Sequence, residues 1–171
     1  KNLPALVDAV RIADVPLVMV GGAIAKEDID RKHPWNKDIV YVQQAAFKNK
    51  KIKILGFVSD EDLVFLYNIA TVFVFPSLYE GFGLPILEAA ACGCPVITAK
   101  GGSIPEVIGD AGIYINPQNP YDVAKAISLI FVDEKKRSDL SKKGIIQAAT
   151  FSWKQTADNT IKVYEKIYTE A

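Results

Sequence analysis

The stretch TVFVFPSLYEGFGLPILEAAACGCPVIT, residues 71–98, decides the fold. Its first run, 72–75, is apolar at every position, which predicts a strand covered on both faces and therefore central in a sheet. Pro76 ends that run, and the loop that follows carries Gly81 and Gly83. Pro85 suits the first turn of a helix, where its missing N–H costs nothing, so a helix is expected over 85–91. A second apolar run follows at 95–98. Strand, loop, helix and strand in this order make a βαβ unit, whose two strands lie parallel in one sheet.

The same alternation extends outward from this unit. Upstream, strands are expected at 17–20, ending in Gly21-Gly22, and at 52–55, closed by Gly56. A helical pattern (Leu6, Val7, Val10, Ile12, Ala13) opens the chain with no strand before it, which reads as a fragment of something larger. Residues 26–38 form a polar loop broken by Pro34, leading to a helix over 39–48. Ser59 supplies an N-cap and Asp60, Glu61 and Asp62 an acidic first turn for a helix over 63–69. Downstream come a glycine loop at 100–103, a short strand at 113–115, and helices over 121–131, 134–149 and 153–168. The expected fold is α/β: a Rossmann-like, doubly wound parallel sheet with a helical C-terminal tail, all in one domain.

Composition narrows the function. Twenty basic and twenty acidic residues give zero formal net charge. Nucleic-acid-binding surfaces depend on a basic excess for their phosphate contacts, so no nucleic-acid partner is expected. No apolar run has the length of a membrane span and no signal-peptide pattern opens the chain, so the expected compartment is the cytoplasm. Cys92 and Cys94 are too close for an easy disulfide and have no second pair for a zinc site, so both are expected to be buried beside a strand. The triplets Asp28-Ile29-Asp30 and Asp60-Glu61-Asp62 have metal-binding spacing, but one lies in the polar loop and the other in a helix start, and no metal is expected. His33 reads as an exposed loop residue, and Trp153 as packing the last helix onto the core.

The loop after the central strand has the chemistry of a ligand site. In open α/β sheets ligands bind beyond the carboxyl ends of the strands. A helix beginning near Leu84 turns its free N–H groups toward that crevice, and Gly81 and Gly83 let a ligand approach the backbone. Glu80 lies before the turn and Glu88 about one turn into the helix, so two carboxylates flank an anion site. That layout suits a ligand with phosphates and hydroxyls, such as a nucleotide sugar. The spacing suits equally a Glu88 that only complements the helix dipole and a Glu80 that is merely solvated.

Residues 75–97, together with Gly21-Gly22, Gly56-Phe57-Val58 and Pro105-Glu106-Val107, resemble the donor-binding domain of retaining GT-B glycosyltransferases of the group 1 (family 4) type. The resemblance implies the C-terminal, nucleotide-sugar-binding domain of a two-domain enzyme whose N-terminal acceptor domain is absent. It implies that Glu88 bonds the ribose hydroxyls, and that Glu80 lies by the transferred sugar. Phe82, Gly83 and Leu84, next to Gly81, then supply backbone donors to the sugar and diphosphate. Gly56, Phe57 and Val58 hold the base beside Gly21 and Gly22, and Lys1 neutralises the leaving diphosphate. The arginine that assists this lysine in the family, and the strand that carries it, are absent. A UDP-, GDP- or ADP-sugar donor is implied with no cofactor, as is a glycan or lipid-linked acceptor. Peripheral membrane attachment through the absent domain is compatible with it.

Other readings stay open: a catalytically incomplete nucleotide- or sugar-binding module, and a GT-B-type sugar epimerase. A dinucleotide-binding oxidoreductase needs Gly-x-Gly-x-x-Gly at a strand-to-helix turn, which Gly21-Gly22-Ala23-Ile24-Ala25-Lys26 does not supply. Lys100, Gly101 and Gly102 fit either part of the donor pocket or a plain strand-exit turn.

Overall fold

The computed structural model describes residues 1–170. Helix α1 (Leu3–Ala13) begins with Pro4 in its first turn and ends at Asp14, whose N–H bonds the Val10 carbonyl and whose left-handed backbone turns the Val15 N–H onto the same carbonyl at 3.2 Å. Strand β1 (Leu17–Val20) leads through Gly21 into a one-turn helix α2 (Gly22–Ala25). The next segment contains a 3-10 turn (Pro34–Asn36) and helix α3 (Lys37–Lys48). Strand β2 (Ile52–Gly56), helix α4 (Asp60–Ile69) and strand β3 (Phe73–Phe75) follow. Then come helix α5 (Leu84–Ala91), strand β4 (Val96–Ala99), helix α6 (Ile104–Ile108) and strand β5 (Gly112–Ile115). Helices α7 (Pro120–Val132), α8 (Glu134–Ala148) and α9 (Trp153–Glu170) complete the chain. Ser59 caps α4 as its sequence position suggested, accepting the Asp62 N–H at 3.1 Å.

All pairings are parallel, and they form two ladders: β1 with β2, and β3–β4–β5. Strand β4 is the centre of the second ladder and is buried at all four positions. Ile97 and Ala99 face one core with α1 and α7, while Val96 faces the other with α5 and α6. Thr98, fully buried, places its hydroxyl on the Phe75 carbonyl at 2.9 Å. Helices thus cover both faces of β4, which is the doubly wound arrangement. Where α5 meets α8, a Cβ on Gly144 would lie 3.4 Å from the Ala90 methyl, so small residues set the spacing of those helices.

Three expectations are corrected: the centrality of β3, the extent of the polar loop and the packing of Trp153. Strand β3 is not central: among the described residues it pairs only with β4, and its three residues are half-buried. An apolar run reports burial, whereas centrality depends on which strands flank it. The parallel sheet is divided into two ladders: among the described residues no ladder hydrogen bonds join β1 to β3. The polar segment is less loop-like than its composition suggests, since Pro34 starts a 3-10 turn that runs into α3 two residues early. Trp153 does not pack on the core; it is 78% exposed, and no residue of α9 is buried. That helix is capped by Ser152, which accepts the Gln155 N–H at 3.1 Å, and its apolar side then leaves the body of the domain.

Two substitutions test this layering. Ile97→Ala, at a fully buried position of β4, is expected to cost about 3 kcal/mol through lost transfer energy and a cavity. Val18→Ala, on the 50% exposed side of β1, should stay within about 0.5 kcal/mol of the parent. Urea unfolding midpoints at constant slope measure both.

Candidate functional site

The site is built where the strands end. Asn2, in left-handed conformation at the start of α1, donates its side-chain amide to the carbonyls of Pro76 and Pro117, which follow β3 and β5. That anchor sets Lys1 beside the loop after β3. The Lys1 ammonium pairs with Glu80 at 2.5 Å and lies 4.8 Å from the centre of the Phe75 ring. Glu80 is mostly covered, its side chain 15% exposed. Burial alone would raise its pKa, but hydrogen bonds from Lys1 and Ser77 and the Lys1 charge outweigh it, and the carboxyl lies below the usual glutamate value.

Gly83 precedes α5 at φ 99°, a left-handed conformation that favours glycine. The free donors of this helix start differ from the simple expectation. Pro85 has no N–H, and those of Ile86 and Leu87 are taken by the Gly83 carbonyl at 3.0 and 3.3 Å. Leu84 and the loop amides of Gly81, Phe82 and Gly83 meet no acceptor among the described residues. The anion-receptive backbone is therefore the loop itself more than the helix. Phe82 turns its ring edge-on to Phe151, 5.8 Å away, holding the loop from the side.

Glu88 is exposed on α5, and the hydroxyl of Tyr67 donates to its Oε2 at 3.3 Å. Tyr67 is buried, sits on α4, and packs edge-on against Phe73 at 5.3 Å, so the hydroxyl is rigidly held. Burial and the Glu88 charge push its pKa well above the ordinary tyrosine value, so it is a donor at every physiological pH. Tyr67 carried no sequence signal as a site residue, because the contact spans 21 positions and two helices.

The remaining candidates form a second group. Gly21 donates its N–H to the Gly56 carbonyl at 2.7 Å, tying the ends of β1 and β2, with Gly22 opening α2. Gly56 has φ 77°, and a Cβ there would crowd Ala25 at 3.1 Å. Phe57 is 88% exposed and Val58 half-buried. No hydrogen bond among the described residues joins this group to the Glu80 loop; each stands at the carboxyl ends of its own parallel ladder.

The other singled-out residues have local roles. His33 accepts the Trp35 N–H through Nδ1 at 3.3 Å, and Asp30 accepts from the Lys32 and His33 backbones, so this part of the polar segment is a set of turns. Cys94 is buried and its thiol pKa is pushed up to about 12 by burial; Cys92 is half-buried and also raised. Both are poor nucleophiles, as buried structural cysteines are. Lys100 lies over the Tyr114 ring at 5.0 Å. Gly101 and Gly102 press on the loop after β3: a Cβ on either would stand about 2 Å from the carbonyl oxygen of Leu78 or Glu80.

The family model for glycosyl transferases group 1 matches residues 1–166. The O-antigen chain mannosyltransferase B of Escherichia coli is 40% identical over 132 residues, which cover 77% of this chain and 35% of that protein. The chain therefore spans about a third of the length of that relative. Among solved structures, sucrose-phosphate synthase from Thermosynechococcus elongatus matches with a TM-score of 0.82 at 28% identity, over 100% of this chain and 43% of that one. The C-terminal domain of a glycosyl transferase group 1 family protein from Francisella tularensis matches with a TM-score of 0.68 at 29% identity, over 88% and 78%.

The Lys1–Glu80 pair predicts a pH signature. The folded-state pKa of Glu80 is depressed, so the pair stabilises the fold above the ordinary glutamate value of 4.5, and that contribution fades as pH falls through the lower folded value. Lys1→Ala is expected to raise the Glu80 midpoint, because burial then acts without its compensating charge. Carboxyl-carbon NMR titration reads the midpoint. The stability difference between parent and variant should shrink on acidification.

Proposed function

The chain belongs to the group 1 glycosyl transferases, and on that premise we propose that it is the C-terminal, donor-binding domain of a two-domain enzyme. The reaction is transfer of a glycosyl unit from a nucleoside diphosphate sugar to a hydroxyl acceptor, with retention at the anomeric carbon. The observation that carries this reading is the pair of glutamates in unlike settings around one amide-lined loop. Glu80 is covered and charge-paired, while Glu88 is open to solvent and steadied by Tyr67. An exposed carboxylate suits a ribose, whose two hydroxyls both donate to it. A covered one suits the sugar hydroxyls, and the unpaired amides beside it suit the diphosphate.

In this mechanism the loop amides and Lys1 receive the charge that builds on the leaving diphosphate as the glycosidic bond breaks. Lys1 is already held at that loop by Glu80, so phosphate oxygens entering beside it meet a positioned cation. Glu80 orients sugar hydroxyls and offsets positive charge at the anomeric carbon, and the acceptor enters on the same face. Gly56, Phe57 and Val58 receive the base at the neighbouring strand ends. Among the described residues β1 and β3 each have one unpaired edge, as do β2 and β5, and on this reading a further strand of the whole enzyme lies between β1 and β3. In the family that strand carries an arginine that assists the lysine. The E. coli relative's name favours a hexosyl unit and a polysaccharide product. No helix among the described residues is long and apolar enough to cross a membrane; the proposed attachment is peripheral, through the N-terminal domain.

Residues 1–171 alone should bind donor nucleotide weakly and transfer nothing, because the acceptor half of the cleft lies elsewhere. Calorimetry and thermal shift with UDP, GDP, ADP and NAD test the site. One nucleoside diphosphate should bind selectively and add about 2.7 kcal/mol of stability at a hundred times its Kd. Glu88→Ala should abolish that gain. Binding of NAD alone, or binding indifferent to Glu88, overturns the reading, and transfer by this chain alone overturns the division of labour.

A further inference from the structure

The loop between β4 and α6 does more than leave a strand. Ser103 occupies the N-cap position of α6, where a serine hydroxyl ordinarily accepts an N–H of its own helix. Here it makes no such bond. Its hydroxyl instead reaches across to the loop after β3, 3.0 Å from the Phe82 carbonyl and 3.3 Å from that of Glu80, and its N–H donates to the Glu80 carbonyl at 3.2 Å. Gly101 and Gly102 make that reach possible. A Cβ on Gly102 would stand 2.1 Å from the Glu80 carbonyl oxygen, and one on Gly101 2.2 Å from that of Leu78. Only a backbone without side chains can lie this close.

The consequence follows from peptide geometry. The described residues contain no cis peptide bond, and in a trans peptide the C=O of one residue and the N–H of the next point in opposite directions. With the Glu80 and Phe82 carbonyls both drawn to Ser103, the N–H groups of Gly81 and Gly83 are turned to the opposite side. Neither meets an acceptor among the described residues. Two glycine amides are thereby aimed together, with no bond of their own to give up. Without the Ser103 clamp, glycines at these positions could rotate either peptide.

We propose that Ser103 is a positioning residue that fixes the amides of Gly81 and Gly83 as a preformed receptor for the diphosphate of the donor. This rests on the donor-site reading and deepens it. Ser103 touches no ligand; it removes the cost of orienting the amides when the anion arrives. Its effect belongs to the phosphates and not to the nucleoside, which Glu88 serves.

The test is an NMR titration of the 171-residue chain with UDP, GDP and ADP and with the matching free nucleosides, comparing the parent with Ser103→Ala, Ser103→Thr and Glu88→Ala. Ser103→Ala should weaken the best diphosphate about tenfold, the worth of one or two oriented hydrogen bonds, and leave the nucleoside unchanged. It should also diminish the ligand-induced shifts of the Gly81 and Gly83 amide resonances. Ser103→Thr, which keeps the hydroxyl, should restore both, and Glu88→Ala should weaken nucleoside and diphosphate alike. Equal losses for nucleoside and diphosphate in Ser103→Ala would mean a merely structural role and overturn the assignment. So would diphosphate binding that the variant leaves intact. If the parent binds none of the diphosphates, the donor-site reading falls and takes this assignment with it.

Discussion

Burial of β4 on both faces is the constraint from which the rest of the domain follows. A strand with no solvent face must be covered twice, so Ile97 and Ala99 call for α1 and α7 on one side while Val96 calls for α5 and α6 on the other. Parallel neighbours are then the workable pairing: the crossover helices α5 and α6 cover the Val96 face, and α1 and α7, from outside this ladder, cover the other. Parallel strands in turn put all their carboxyl ends on one edge. The loops after β3 and β4 therefore meet there, and Gly101 and Gly102 let them meet backbone to backbone.

The electrostatics of the candidate site are unequal by construction. Glu80 is covered and carries its own cation, so its charge is secured before any ligand arrives. Glu88 lies in solvent with one neutral donor, the Tyr67 hydroxyl. A bound polyol competes with water for Glu88 at little desolvation cost, whereas a group entering near Glu80 and Lys1 meets charges already oriented. Electrostatic preorganisation of this kind is worth most where water is scarce. The loop amides continue the pattern, since Pro85 and the Gly83 carbonyl leave the helix start with few free donors and the preceding turn with several.

The family resemblance and the structure agree on the group 1 glycosyl transferases, and they do so on different grounds. The family model matches residues 1–166, and structural likeness covers the whole chain in sucrose-phosphate synthase. The open edges of the two ladders and the uncovered apolar side of α9 are among the places where the described residues leave surface unsatisfied.

Much of this was legible locally. Strand and helix types follow from apolar periodicity, the start of α5 from Gly83 and Pro85, the cap of α4 from Ser59, and the flanking glutamates from their spacing about one loop. Such features are set by residues within a turn of each other, so the chain states them wherever it is read. The sequence by itself therefore determined the α/β class, the order of elements and the loop that carries the candidate site. Tertiary structure alone decided which strand is central, that Trp153 stays exposed, that Lys1 meets Glu80 across 79 positions, and that Tyr67 and Ser103 stand behind the site. These are pairings between distant segments, and a side chain carries no mark of its partner until packing brings the two within hydrogen-bond reach.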